Sequence, residues 1–178
     1  MPINYNTVKT SLHTWASSVV PVGMPVIFWE LNSPRPEIPY VTLFLSTISA
    51  VNQDWSNDST DILGTILMKG DRRFTVSINA YGGNDTLTVM ENIRSSLQRK
   101  SVLDGLRLGG IVFYQSEIIN DISDLIDSMY ERRAQMDVFF AIGQNYTDIT
   151  GFFDKTQITE TFFDPANAIV YTEIINIP

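Results

Sequence analysis

The sequence contains no cysteine among its 178 residues. This absence excludes disulfides, iron–sulfur clusters, thiolate zinc sites and cysteine nucleophiles. Long apolar runs are missing as well, because no stretch approaches the roughly 18 uninterrupted apolar residues of a membrane span. The N-terminus also lacks the basic segment followed by an apolar one that marks a signal peptide. We therefore expect a soluble protein that has no membrane contact and works in the cytoplasm where it is translated.

Basic residues are scarce relative to acidic ones: 12 Lys and Arg face 20 Asp and Glu, for a net charge of −8. Nucleic-acid binding through phosphates requires a basic surface, so this balance argues against a large nucleic-acid-binding patch. Hydrophobic residues make up 44% of the chain, which is typical of globular proteins. The composition therefore predicts a folded domain with an acidic surface that repels DNA.

Catalytic motifs are missing too. His13 is the single histidine, and no nucleophile and acid accompany it in a recognisable triad pattern, so we interpret it as a residue at the edge of the core. The chain has no G-x-S-x-G elbow, no phosphate-binding G-x-x-x-x-G-K-[ST] loop and no G-x-G-x-x-G after a strand. We expect no enzymatic activity, no catalytic residues, no cofactor and no bound metal.

The densest acidic group comprises Asp121, Asp124, Asp127 and Glu131. A solvated acidic surface is the favoured interpretation. The alternative is a site for a hard cation, which would make the protein a metal-dependent hydrolase. An EF-hand loop is excluded because no glycine stands at its sixth position.

Two helices are predicted from apolar residues at helical spacing. The first carries Val8, Leu12, Trp15 and Val19 on one stripe, with Asn4 or Asn6 as its N-cap. A single apolar stripe implies that this helix packs on a sheet. The second helix follows the turn at residues 82–85, and its predicted buried residues are Leu87, Met90, Ile93 and Leu97.

Strands are predicted where the apolar period changes to two. Residues 40–51, 62–68 and 74–80 form an antiparallel meander in this interpretation, with a turn at Gly70-Asp71, and the chain after Lys100 is expected to loop through its glycines. Further strands begin at residue 111 and span residues 132–142, where Arg132 shares the face of Ala134. Residues 117–130 fit a helix or a hairpin, and the hairpin is favoured because the strand over 132–142 needs a partner.

The C-terminal region contains two strand-like runs, residues 156–163 and 169–177, separated by a turn of Asp, Pro, Ala and Asn. We expect one domain over residues 1–150 and a C-terminal β-hairpin extension over residues 151–178. An isolated hairpin is marginal in water, so it should pack on its own domain or on a neighbouring subunit. Its predicted exposed aromatic residues are Phe152, Phe153, Phe162 and Phe163.

Two short motifs, taken in order with the predicted elements, resemble the tail terminator or neck terminator proteins of long-tailed bacteriophages. The first is the proline-rich connector that leads into the strand over residues 41–45, and the second is the strand E-R-R-A-Q-M-D-V at residues 131–138. The resemblance extends from about Tyr5 to about Ile142. The residues that carry it are Pro34, Arg35, Pro36, Pro39, Tyr40, Arg132 and Arg133.

The resemblance implies an α+β fold in which an antiparallel sheet is flanked by two main helices. It also implies a homohexameric ring that caps the tail tube, ends tube polymerisation and joins the tail to the head-completion complex of the neck. Its partners would be copies of itself, the tail tube protein, the neck protein and, in a contractile tail, the sheath protein. The protein would reside in the virion after assembly in the host cytoplasm, and DNA would pass through the ring without specific binding.

Several roles stay open at the level of sequence. Asp121, Asp124 and Asp127 are candidates for the lumen of the ring or for ordinary outer-surface charges. Arg132 and Arg133 are candidates for pairing with acidic residues of the next subunit or for solvent-facing positions. The alternative to a virion protein is a soluble acidic adaptor that docks a basic partner protein.

Overall fold

Helices and strands occur in separate groups along the chain, in an α+β arrangement, as predicted. The computed structural model describes residues 3–29, 35–56, 65–83, 85–126, 129–149, 156–163 and 169–177. In chain order the elements are α1 (Tyr5–Val19), β1 (Val26–Phe28), β2 (Tyr40–Ala50), β3 (Trp55–Ser56), β4 (Thr65–Tyr81), α2 (Thr86–Ser96), α3 (Lys100–Leu108), β5 (Ile111–Ser116), β6 (Asn120–Asp121), β7 (Asp124–Ile126), β8 (Met129–Glu131), β9 (Arg133–Ile149), β10 (Thr156–Phe163) and β11 (Ile169–Ile177).

The main sheet has seven strands, with β1-β2-β4-β9-β5 as its path, β3 beside β4 and β6 beside β9. The pair β2–β4 is antiparallel, as are β5–β9 and β6–β9. The short strand β1 runs parallel to β2, with Val26 opposite Val41. The sheet is therefore mixed, and β2 starts beside the start of β1.

Helix α1 begins as the sequence predicts. The side chain of Asn4 accepts hydrogen bonds from the backbone N–H groups of Asn6 (3.0 Å) and Thr7 (3.4 Å). These bonds satisfy two of the amide donors that a helix N-terminus leaves free. Val8, Leu12 and Trp15 are buried along the predicted stripe.

The core lies between one face of the sheet and the helices. Alternate residues of β4 and β9 point into it, and both strands follow the period of two that a sheet with one buried face requires. At its centre Phe140 packs against Trp15 with ring centroids 5.8 Å apart and against Phe74 at 5.6 Å. The core residues of these two strands are Phe74, Val76, Ile78, Ala80, Ala134, Met136, Val138, Phe140 and Ile142.

The predicted turn at Gly70-Asp71 is wrong, because β4 continues through these residues as one strand. Gly70 is buried, and a Cβ there would overlap the carboxylate of Asp54 and the guanidinium of Arg72. The glycine therefore makes room for the packing of another pair of side chains over the strand, which is a recognised use of glycine inside a strand.

The predicted loop after Lys100 is also wrong, because residues Lys100–Leu108 form α3. Asp104 pairs with Lys100 one turn earlier and with Arg107 at 3.1 Å, and such pairs support a helix surface. Gly105 lies inside this helix with open space around it. The glycines predict a loop, but the ion pairs of Asp104 and the burial of Leu106 stabilise a helix here.

Two smaller assignments differ as well. Leu87 is 44% exposed, because the buried stripe of α2 passes instead through Val89, Met90 and Ile93. Arg132 precedes β9 and is exposed, so it does not share the buried face of Ala134.

The favoured hairpin interpretation of residues 117–130 is confirmed. Strand β6 pairs with β9, with Asn120 opposite Gln135, and β7 and β8 form an antiparallel pair with Leu125 opposite Tyr130. The start of β9 therefore receives the partner that the sequence required. Among the helices of the described ranges, none is long and apolar enough to cross a membrane.

The contacts divide the chain into two compact units. The first comprises Met1–Trp55 and Lys69–Tyr146, and the second comprises Ser56–Met68 and Thr147–Pro178. The predicted C-terminal hairpin is present in the second unit as the antiparallel pair β10–β11, with Thr156 opposite Ile177. Phe152 and Phe153, together with the side chains of Phe162 and Phe163, lie outside the described part of the chain.

Candidate assembly surface

The face of the sheet turned away from the helices carries polar and aromatic side chains, and we call it the polar face. Strand register sets its composition, because residues directly opposite each other on β2 and β4 share a face. Three such pairs lie here: Tyr40 with Tyr81, Thr42 with Asn79, and Phe44 with Ser77. The adjoining strand β9 adds Arg133, Gln135 and Asp137, which alternate with its core residues.

Hydrogen bonds connect β4 with β9 across the polar face. The hydroxyl of Ser77 donates to the carboxylate of Asp137 (2.6 Å). The Nη2 of Arg133 donates to the side-chain oxygen of Asn79 (3.1 Å), and Asn79 is only 8% exposed. The Arg133 guanidinium is thereby held at the sheet surface by a nearly buried amide.

Aromatic rings hold the arginine residues of both sequence motifs. Tyr40 and Tyr81 stack with centroids 4.8 Å apart, and the Arg133 guanidinium lies 4.8 Å from the Tyr81 ring centroid. Arg35 lies over Trp29 at 5.4 Å. Burial raises the pKa of Tyr40, so its hydroxyl stays protonated in neutral solution. Cation–π contacts of this kind stabilise a guanidinium on an aromatic surface.

Three polar atoms of the polar face lack a hydrogen-bond partner among the described residues. They are the hydroxyls of Thr42 and Tyr81 and the Nε of Arg133, and all three atoms are inaccessible to solvent. Thr42 is 1% exposed and Tyr81 is 3% exposed. These residues line a cavity of about 190 Å³ whose walls include Trp29 and Phe44, which we call the Arg133 pocket.

A second cavity, of about 180 Å³, adjoins the same arginine. Its lining includes Arg35, Arg133, Asp124 and Glu131, and Trp29 lines both cavities. The structure therefore brings together the proline-rich connector, the start of β9 and part of the acidic group, which are far apart in sequence.

Arg132 and Asp121 belong to a different surface. They line a cavity of about 220 Å³ together with Asp85 and Ser123. The hydroxyl and backbone N–H of Ser123 donate to the Asp121 carboxylate and lower its pKa. Hydrogen bonds from Thr88 likewise lower the pKa of Asp85, which caps α2. Arg132 and Arg133 are adjacent in sequence but line different cavities.

The other predicted site residues divide between exposed positions and positions outside the described ranges. Pro39 is exposed and Pro36 is half-buried, whereas Pro34 and Asp127 lie outside the described residues. Within the described ranges, no three His, Asp or Glu side chains gather in a way that could hold a metal ion. His13 is exposed, and its Nε2 contacts the backbone oxygen of Val26 at 3.0 Å, an arrangement in which the ring N–H donates.

Sequence reasoning missed the walls of the Arg133 pocket. Thr42, Asn79 and Tyr81 appeared as ordinary members of alternating strands, and the alternation of Thr75, Ser77 and Asn79 was the available signal. Alternation predicts that these side chains share a face. It does not predict that Thr42 and Tyr81 are almost completely buried, which depends on what packs around them.

A second missed arrangement joins Asp54, Arg72 and Tyr146. Both guanidinium Nη atoms of Arg72 donate to the Asp54 carboxylate at 2.6 Å, and the Tyr146 hydroxyl donates to it at 2.8 Å. These bonds, led by the one from Arg72, lower the pKa of Asp54 from 3.8 to about 2. In the sequence, Asp54 stands between the predicted strands over residues 40–51 and 62–68, and no local pattern marks it.

The geometry of the polar face suits recognition. The Arg133 pocket offers hydrogen-bond donors and aromatic walls, and a site of this kind binds a group that accepts hydrogen bonds. Neither cavity beside Arg133 contains a histidine or cysteine side chain.

Comparison with known proteins supports a fold and a family. Among solved structures, the chain is similar to the PVC sheath/tube terminator of an extracellular contractile injection system in its extended state, with a TM-score of 0.51 and 13% sequence identity. The match covers 94% of this chain and 66% of that one, so this chain spans just under two thirds of its length. At this identity the likeness shows the fold. No curated protein sequence matches significantly.

The family is shown by the sequence itself. The family model of the phage neck terminator protein matches residues 7–164, which is most of the chain and includes both motifs. The resemblance drawn from those motifs is therefore confirmed, and the chain belongs to the phage neck terminator protein family.

Proposed function

We propose that this protein assembles into a homohexameric ring that caps the phage tail tube, ends tube polymerisation and joins the tail to the head-completion complex of the neck. The observation that carries this proposal is the family match over residues 7–164. A terminator role is structural, so the protein acts through its surfaces and makes or breaks no covalent bond. Its place is the virion, after assembly in the host cytoplasm.

The sheet edges support self-assembly. Strand β5 is the last strand on its side of the sheet path, and its residues Val112 and Tyr114 are 48% and 54% exposed. An edge strand with exposed apolar side chains favours pairing with another chain. A ring repeats one heterologous contact around an axis and so covers such edges in every copy.

The charge balance supports a channel for DNA. With a net charge of −8, the protein offers few cations to bind phosphates, and DNA would pass without being held. Asp121 and Asp124 are exposed, as a lumen position requires, and Asp127 completes the proposed acidic group.

The partners in this proposal are copies of this chain, the tail tube protein and the neck protein. The solved terminator is described as one of both sheath and tube, which extends the proposal to a sheath protein if the tail is contractile. The C-terminal hairpin, residues 151–178, would then serve as an extension that packs on its own domain of residues 1–150 or on the neighbouring subunit.

Assembly with tail tubes tests the proposal. The purified chain is added to polymerising tail tube protein, and tube lengths and ends are measured by negative-stain electron microscopy. We expect particles of six times the chain mass, density capping the tube ends and shorter tubes at higher terminator concentration. A monomer that leaves tube length unchanged and instead captures a basic protein would favour the acidic adaptor.

A matched pair of variants locates the self-assembly edge. Val112→Lys places a charge on the exposed face of β5, whereas Leu108→Lys places the same charge on the exposed end of α3, where Leu108 is 92% exposed. We expect only Val112→Lys to prevent ring formation. Equal assembly of both variants would contradict a role for this edge.

A further inference from the structure

The Arg133 pocket is suited to a ligand that the described residues of the chain do not supply. Three residues that line this cavity, Thr42, Tyr81 and Arg133, each carry a buried polar atom without a partner among the described residues, and Thr42 and Tyr81 are at least 97% buried. Buried polar groups in native proteins are nearly always hydrogen-bonded, because leaving them unpaired is costly. Three such atoms on residues that line one cavity therefore indicate that something binds there.

The chemistry of these atoms selects the ligand. The Nε of Arg133 can only donate, and the hydroxyls of Tyr81 and Thr42 are both able to donate. The Nη2 of the same arginine is already used by Asn79. A guanidinium supported by two hydroxyl donors matches a carboxylate, because charge-assisted hydrogen bonds to carboxylates are the strongest that arginine makes.

The carboxylates on the described part of the chain do not fill this role. Asp137, on the same face, accepts the hydroxyl of Ser77, and no ion pair joins Arg133 to a described acidic residue. The cavity of about 190 Å³ far exceeds the ~15 Å³ that one water requires. It has room for a side chain that enters between Trp29 and Phe44, the exposed aromatic residues of its wall.

We infer that the Arg133 pocket binds an aspartate or glutamate side chain of a second copy of this chain, and this inference rests on the proposed ring. Each copy carries eight more acidic than basic residues, so carboxylates are the charged group that a neighbouring copy supplies in excess. The contact is heterologous, because the donor pocket of one copy meets the acid of the next, as closure of a ring requires.

The test compares ring stability in full-length variants by mass photometry over a dilution series. Arg133→Gln removes the positive charge from the pocket, and Tyr81→Phe removes one hydroxyl but keeps the aromatic side chain. As a control, Arg107→Gln removes the same charge from the exposed end of α3. We expect the concentration at which half the rings dissociate to rise at least about thirtyfold for Arg133→Gln, because the acid of the neighbour is left unpaired. We expect a rise of about tenfold for Tyr81→Phe and no change for Arg107→Gln.

Two further measurements keep the result decisive. The melting temperature of each variant is recorded. If Arg133→Gln lowers it, the inference is judged on Tyr81→Phe, because that change keeps the aromatic side chain stacked on Tyr40. Rings of Arg133→Gln and Tyr81→Phe that dissociate like the wild type overturn the inference and leave the proposed function intact. A cryo-electron microscopy map in which the pocket holds water only, or DNA phosphate, also overturns it. A wild-type chain that neither forms rings nor caps tubes overturns both proposals.

Discussion

Removing the hydroxyl of Ser96 is expected to destabilise the domain by leaving a tryptophan N–H unpaired. The indole N–H of Trp15 in α1 donates to the Ser96 hydroxyl in α2 at 3.0 Å. That hydroxyl donates in turn to the backbone oxygen of Ile93 at 2.6 Å. Ser96 is 0% exposed and Trp15 is 5% exposed, so water does not reach the donor in the variant.

Two opposing contributions set the size of the effect. An unpaired buried donor costs ~1–3 kcal/mol. Alanine is a better helix former than serine near the end of α2, which raises the free energy of unfolding of the variant by about 0.5 kcal/mol. We therefore expect Ser96→Ala to lower the free energy of unfolding by roughly 0.5–2.5 kcal/mol, or the melting temperature by about 2–4 °C for each kcal/mol.

A double-mutant cycle separates the hydrogen bond from other effects. Urea unfolding is followed by far-ultraviolet circular dichroism for the wild type, Ser96→Ala, Trp15→Phe and the double variant. In the Trp15→Phe background no indole donor exists, so Ser96→Ala should be neutral or slightly stabilising there, with a coupling of about 0.5–3 kcal/mol between the two changes. Equal effects of Ser96→Ala in both backgrounds would refute the reasoning.

Two more predictions concern the acid stability and the core. The pKa of Asp54 is about 2 in the folded state against 3.8 ordinarily, so its contribution to stability is complete above pH 3.8 and is lost as the pH falls through about 2. The melting temperature of the wild type should therefore exceed that of Asp54→Asn at pH 6, and the difference should shrink as the pH falls from 4 to 2; a pH-independent difference would be inconsistent with the pKa shift. Phe140→Ala removes an aromatic side chain that is 0% exposed and contacts Trp15 and Phe74. We expect chemical denaturation to show that the free energy of unfolding falls by about 3–5 kcal/mol. A fall of less than about 1 kcal/mol would mean that the core closes over the cavity.

Much of the fold could be predicted because local patterns carry it. The stripe of Val8, Leu12 and Trp15 predicts α1 and its buried face, and Asn4 predicts where it begins. Alternation in β4 and β9 separates core residues from those of the polar face. The failures came where glycine was interpreted locally: Gly70 lies in a strand under the Asp54–Arg72 pair, and α3 continues past Gly105.

The candidate surface was predictable in part. The two motifs indicated the family and named Arg35 and Arg133, which line neighbouring cavities, and Tyr40, which stacks on Tyr81. Alternation separates Arg132 from Arg133, but it places Arg132 on the face of Ala134, whereas in the structure Arg132 is exposed and precedes β9. The near-complete burial of Thr42 and Tyr81 was not predictable, since both carry the same alternation as exposed polar residues on other strands.

The sequence by itself determined the positions of the principal helices and strands, the acidic charge, the absence of cysteine chemistry and the family resemblance, because each depends on residue identity or on near-neighbour spacing. Only the tertiary structure decided which residues meet. The Arg133 pocket joins strands that lie more than 50 residues apart, and its unpaired donors arise from the packing of those strands and of Trp29 around one cavity. Contacts at that distance are set by the register of the sheet and by burial, and neither is a property of any single segment.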